Sequence, residues 1–205
     1  SLKILLDYVT HPYFTPETVK KEQGIIAQEI RMGEDNPGRV VIFDLLAAMY
    51  ENHNVRIDIA GTVDSISEIT ADVLYKCYNT FYNLSNMALC VSGNVDIDEV
   101  LDIADIVLKK QPELNIESVY AVEDAKVFKP YVSRKMQVSK PLFNIGIKDV
   151  DISSDRVERM KKSAGISIMN SALFGRSSKF YNELYEEGLI SSSFGSWDEH
   201  SQAFS

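Results

Sequence analysis

Cysteine is scarce: Cys77 and Cys90 are the two in 205 residues, one inside a helical pattern and one inside an apolar, strand-like run. Two such residues do not make a disulfide framework. They read as small buried apolar groups and point to a reducing, cytoplasmic compartment. Long apolar runs are missing as well. Stretches such as MALCV fall far short of the roughly 20 residues that a membrane span needs, and SLKILLDYVT at the start does not read as a secretory signal. Basic charge is in deficit, with 21 Lys and Arg against 30 Asp and Glu and a formal charge of −9. That balance disfavours nucleic acid or an anionic bilayer as the main partner and leaves room only for a local basic groove. Phosphate loops are absent too: the stretch from Gly33 to Gly38 lacks the GxxxxGK[ST] arrangement, and Gly175-Arg176-Ser177-Ser178 is too short and wrongly placed for a dinucleotide loop.

An apolar fraction of 45% is enough for a core, in one domain or two. Helical spacing predicts helices over 1–9, from Thr15-Pro16-Glu17 to about Glu34, over 38–51, from Thr70 through Phe81, from Asp96 to near Lys110, over 155–173 and over 177–187. Thr15 supplies a cap, Pro16 a first-turn proline and Glu17 an early acid. Runs at 86–91, 131–138, 142–149 and from Leu189 read as strands, with 131–138 and 142–149 as antiparallel neighbours. The class expected from this mixture is α+β. Periodicity fails between Gln111 and about Lys126, with Pro112 and Pro130 framing it, so the expected organisation is 1–110, a linker at 111–128, and 129–205. The helix at the first residue and the open end at Ser205 suggest that both domains are partial.

The most informative helix is the second. At about 100° per residue, Glu22 and Glu29 differ by only about 20° around its axis and lie roughly 10 Å apart along it. Taking Val19 as zero, Ile26 and Ile30 fall close to it, Ile25 and Met32 fall at about 240° and about 220°, and the two acids fall at about 300° and about 280°. They are therefore expected among apolar neighbours, with Lys20, Gln23, Gln28, Arg31 and Glu34 facing solvent. Burying carboxylates costs several kcal/mol unless it is compensated. Three readings stay open: shallow docking or pairing with a basic residue, a metal or acid–base site, and a protein interface. Zinc normally takes three protein ligands at a catalytic centre, and the three histidines, His11, His53 and His200, form no His-x-x-x-His or His-x-x-Glu-His array.

The stretch Lys21-Glu22-Gln23-Gly24-Ile25-Ile26-Ala27-Gln28-Glu29 resembles the distal glutamate helix of the pitrilysin/insulinase zinc metallopeptidases, the inverted zincins that include mitochondrial processing peptidase. Further segments resemble that family in the same order: His53-Asn54 through Asp58-Ile59-Ala60-Gly61-Thr62 with Ile66 and Ile69-Thr70; Phe81-Tyr82-Asn83-Leu84-Ser85-Asn86-Met87 with Val91-Ser92-Gly93-Asn94-Val95-Asp96; Phe174-Gly175-Arg176-Ser177-Ser178-Lys179-Phe180; and Leu184-Tyr185-Glu186-Glu187-Gly188-Leu189. The resemblance implies helices packed on mostly antiparallel sheets in two partial metallopeptidase-like domains. It makes Glu29 the third ligand of Zn2+ and Glu22 a supporting active-site carboxylate. The other two ligands and the general base would come from a His-x-x-Glu-His motif on a preceding N-terminal segment, so this fragment alone would be inactive and would not hold zinc stably. The implied parent is a zinc-dependent endopeptidase or processing peptidase acting on unfolded peptides or small proteins, together with a second peptidase half or homologous subunit. The alternative is a non-catalytic homologue acting as a peptide-binding or partner subunit. Tyr185 and Ser191 stand where one form of the family carries arginine and tyrosine, a departure that suits the metal-binding half.

Overall fold

The computed structural model describes residues 1–205, and its regular structure is entirely helical. The helices are α1 (Leu2–Thr10), α2 (Pro16–Glu34), α3 (Pro37–Met49), α4 (Val63–Ser67), α5 (Ala71–Phe81), α6 (Ile97–Val107), α7 (Arg156–Phe174) and α8 (Lys179–Glu186), with single 3-10 turns at Asn54–Arg56 and Leu84–Asn86. Their starts are written in the sequence. Thr15 and Thr62 each accept a backbone N–H from three residues on, and each donates its own backbone N–H in return to the hydroxyl of that residue, Thr18 and Ser65, while Thr70, Asp96, Asp155 and Ser178 cap α5, α6, α7 and α8.

The chain divides into two compact units, each drawn from two stretches: Ser1–Val40 with Asp58–Val119, and Val41–Ile57 with Tyr120–Ser205. In the first unit α1 packs on α6 and α2 on α4. Ala27, Ile30 and Ile66 are its buried centre, with Ile26, Ala60, Val63 and Ile69 against them. Tyr78 donates to the Val9 carbonyl at 2.8 Å, and the Phe14 N–H donates to the Tyr75 hydroxyl at 3.0 Å, tying α5 to the α1–α2 connection. Arg39 and Asp58 form a bidentate pair at 2.8 and 2.6 Å, which ties the first turn of α3 to the turn at Gly61. The hydrogen bonds from Arg39 hold the Asp58 carboxyl below its usual range against the opposing effect of burial.

In the second unit α7 packs on α8, and Phe174, Phe180, Tyr181 and Phe194 form an aromatic cluster beside the Ser178 cap. The segment after α3 is fastened by Glu123. Its carboxylate accepts the N–H groups of Glu51, Asn52 and His53 at 2.8–2.9 Å. Lys148 reaches the same carboxylate, and its Nζ also donates to the carbonyls of Met49 and Lys126.

Three expectations are corrected. The α+β class with antiparallel sheets does not hold, because residues 86–91, 131–138 and 142–149 run without forming a strand or bridge. Alternation fixes which side chains share a face, but a ladder also needs a neighbouring backbone, and none is aligned with these runs. Near them, the Lys129 N–H donates to the Ala48 carbonyl and the Asp149 N–H to the Ser205 carbonyl, isolated bonds in place of a ladder. Second, Leu189 begins no strand. Gly188 takes φ +71°, and the Leu189 and Ile190 N–H groups return to the Leu184 carbonyl as a helix ending. Third, Cys77 and Cys90 are both exposed thiols rather than core groups, since the helix carrying Cys77 docks through Leu74, Tyr75 and Tyr78.

Candidate metal-binding face

α2 is anchored on one side only. Val19, Ala27 and Ile30 are buried, Ile26 is half-buried, and Gln23 joins this docked side: its amide donates to the carbonyls of Ser67 and Ile69 at 3.2 and 2.8 Å. The expectation that Gln23 faces solvent is therefore corrected, because it clamps α2 to the α4–α5 connection. The remaining apolar residues of the helix, Ile25 and Met32, are exposed, Met32 by 74%. Glu22 and Glu29 lie on this open flank and are exposed as well. The apolar arc of α2 is thus split. One half docks and the other half is bare, with the two acids between them. Neither carboxylate takes a hydrogen bond or an ion pair from the chain, so the pairing with a basic residue does not form.

Each other candidate has a local role. His11 ends α1, its Nδ1 3.2 Å from Asp7 Oδ1. His53 is buried, and its Nδ1 accepts the Val55 N–H at 3.1 Å, which assigns the proton of the neutral ring to Nε2. It stacks on Tyr120 and meets Phe204. His200 Nε2 is buried 3.4 Å from Asp198 Oδ2, and its Nδ1 contacts Ser205 Oγ, beside a cleft lined by Arg156, Arg159 and Met160. No group of three or more His, Cys, Asp or Glu side chains comes together as a metal site would require. The α2 flank offers carboxylates, which suit Zn2+ as single ligands in a mixed set and do not by themselves make a closed site.

Sequence reasoning missed the most strongly perturbed acid. Burial alone would raise the Glu123 pKa, but three backbone donors and Lys148 outweigh it and bring the value to about 2. It lies within the segment read as an aperiodic linker, where no spacing marks it.

The family model described as "Peptidase M16 inactive domain" matches residues 68–205. This chain belongs to the M16 peptidases, the pitrilysin/insulinase family. YmfH of Bacillus subtilis (strain 168), described as an uncharacterized zinc protease, is 43% identical over 199 residues, covering 95% of this chain and 46% of YmfH. The human mitochondrial-processing peptidase subunit beta is 29% identical over 104 residues, which is 51% of this chain and 21% of that subunit. A crystal structure described as an M16-like peptidase from Alicyclobacillus acidocaldarius superimposes with a TM-score of 0.87 at 36% identity, covering 99% of this chain and 48% of that one. The chain thus spans about half the length of the relatives it matches along most of its residues. The family-model match leaves out α2, so the two acids lie outside it.

Proposed function

We propose that these residues belong to a zinc-dependent endopeptidase or processing peptidase that hydrolyses peptide bonds in unfolded peptides or small proteins. The observation that carries this reading is the pair Glu22 and Glu29, exposed and unpaired on one flank of α2 in a member of a family whose relatives include described zinc proteases. Glu29 would be one metal ligand and Glu22 a supporting carboxylate, with the remaining ligands and the general base on polypeptide outside these residues. Zinc supplies Lewis acidity toward a peptide carbonyl when bound. The chain's own contribution is to hold the Glu29 carboxylate on a rigid helix whose other side is locked by Gln23, Ala27 and Ile30. A second peptidase half or homologous subunit, a cytoplasmic location, and a division into 1–110, a linker at 111–128, and 129–205 belong to the same proposal. No helix is long and apolar enough to cross a membrane.

The test compares Glu29→Gln and Glu22→Gln in a full-length protein, by metal analysis and peptide cleavage. Loss of a direct ligand should abolish zinc retention and hydrolysis. Loss of the supporting carboxylate should cost about 10–100-fold. Unchanged zinc affinity in Glu29→Gln would sink the assignment. The match to an inactive-domain model favours a second reading, a non-catalytic homologue that binds peptide or a partner subunit. Peptide binding without chelator-sensitive cleavage in the full-length protein would select it.

A further inference from the structure

Glu22 and Glu29 are exposed on the open flank of α2, and the chain gives neither a hydrogen bond nor an ion pair. The place of each carboxylate is therefore set by how the helix itself is seated. That seat has two components. The first is apolar and thin: Val19, Ala27 and Ile30 are the buried residues of a 19-residue helix, and Ile66 of α4 completes the cluster with Ala27 and Ile30. Apolar contact is non-directional, so so narrow a stripe opposes separation of α2 more than it opposes a roll about its axis.

The directional component is Gln23. Its amide donates to the Ser67 carbonyl at 3.2 Å and to the Ile69 carbonyl at 2.8 Å. No other side chain of α2 hydrogen-bonds beyond the helix and its Thr15 cap. Ser67 is the last residue of α4 and Ile69 precedes the Thr70 cap of α5. This connection is itself pinned, because the Ile69 N–H donates to the Ile66 carbonyl and the Thr70 hydroxyl accepts the Val73 N–H. One amide held by two fixed acceptors defines an angle, which a single bond would not.

Gln23 and Glu29 are about 120° apart around the helix and roughly 9 Å apart along it. The backbone links them rigidly while they face different ways. A roll of about 10° carries a side-chain end, about 5–6 Å from the axis, through about 1 Å. Zinc–ligand distances hold to about 0.2 Å, and a misplacement of about 1 Å is enough to cost on the order of 100-fold in rate.

We propose that Gln23 is the positioning residue of the metal site, its paired bonds to Ser67 and Ile69 fixing the roll of α2 and with it the place of the Glu29 carboxylate. The proposal rests on the peptidase reading, which gives Glu29 to Zn2+. Gln23 acts through Glu29 and touches neither metal nor peptide.

The test is made in the full-length protein with Gln23→Met, which keeps the side-chain length and removes the donors, and Gln23→Lys, which restores a donor. Zinc affinity is read by competition with a chromogenic chelator, well below the melting temperature of every variant, and kcat and KM are read at saturating zinc. Gln23→Met should weaken zinc binding about 10–100-fold and lower kcat with KM unchanged. Gln23→Lys should recover most of both. Tyr78→Phe loses its bond to the Val9 carbonyl in the same unit without touching α2, so it is the stability control and should keep wild-type zinc affinity. Wild-type zinc affinity in Gln23→Met, with only the melting temperature lowered, would make Gln23 a structural residue and overturn the proposal. So would an equal loss of zinc in Gln23→Lys or in Tyr78→Phe. Should Gln23→Met not fold, Gln23→Asn, whose amide falls one methylene short of the carbonyls, is read by the same criteria. Failure of the peptidase reading has a separate mark: Glu29→Gln then retains zinc as the wild type does, whatever the Gln23 variants do.

Discussion

Lys148 Nζ stands 3.1 Å from Glu123 Oε1 and 4.7 Å over the Tyr50 ring, with 5% of the lysine side chain and 9% of the glutamate side chain exposed. The pair is not a surface ornament. It satisfies three N–H groups just past α3 and adds a second donor to the carbonyl of its last residue, Met49, which also accepts the Phe128 N–H.

Acid should therefore loosen the second unit. The Glu123 pKa is lowered from 4.5 to about 2 on folding, so its contribution is fully present above pH 4.5 and is lost as pH falls towards 2. The stabilisation at neutral pH is on the order of 3 kcal/mol. Urea melts between pH 6 and 2.5 should show that loss in the wild type, and a much flatter profile in Glu123→Gln.

Lys148→Met should leave Glu123 charged and buried without its cation. The expected cost is about 3–5 kcal/mol, because breaking one side of a buried pair is worse than never having it. Combining it with Glu123→Gln should be clearly less than additive in a denaturation cycle. Full additivity would show that the two side chains do not act together.

Gly146→Val tests the contact of Gly146 with Leu45 and Met49 of α3. A Cβ there collides with Met49 Sδ and comes within 3.1 Å of Leu45 Cδ1, so overpacking should cost about 1–3 kcal/mol. Met49→Ala in the same chain should recover part of the loss. No recovery would mean that the segment is not seated on α3.

Gln23→Leu should remove both bonds to the α4–α5 connection and cost about 1–3 kcal/mol, since the Ser67 and Ile69 carbonyls lose a donor. Lys20→Leu, exposed on the same helix, should lie within about 0.5 kcal/mol of wild type. Thermal melts of both variants distinguish an inward Gln23 from an outward one.

The helices were legible because their signals are local. Thr15, Pro16 and Asp96 mark starts, the helix expected from 177 begins one residue later on the Ser178 cap, and Val100, Ile103, Ala104 and Val107 are the half-buried side of α6. What was not legible depends on distant chain. The apolar run at 142–149 reads as a strand but cannot say that Lys148 will find Glu123, 25 residues earlier. The apolar arc of α2 was visible, but which half docks is decided by Ile66 and by the carbonyls of Ser67 and Ile69, far downstream and across all of α3. Glu22 and Glu29 could thus be placed on one flank from spacing, while their exposure could not.

Translation meets the same long separations as delay. The α3 end that Glu123 fastens precedes it by about 70 residues, and Lys148 follows about 25 residues after that. At roughly 5–20 residues per second, the amides of Glu51, Asn52 and His53 wait about 4–15 s for their carboxylate. The stretch from Asp58 to Val119 is made during that wait and belongs to the other unit. A chain truncated near residue 120 and released from the ribosome should therefore hold its first unit formed, while the second half of α3 stays open to proteases and chaperones.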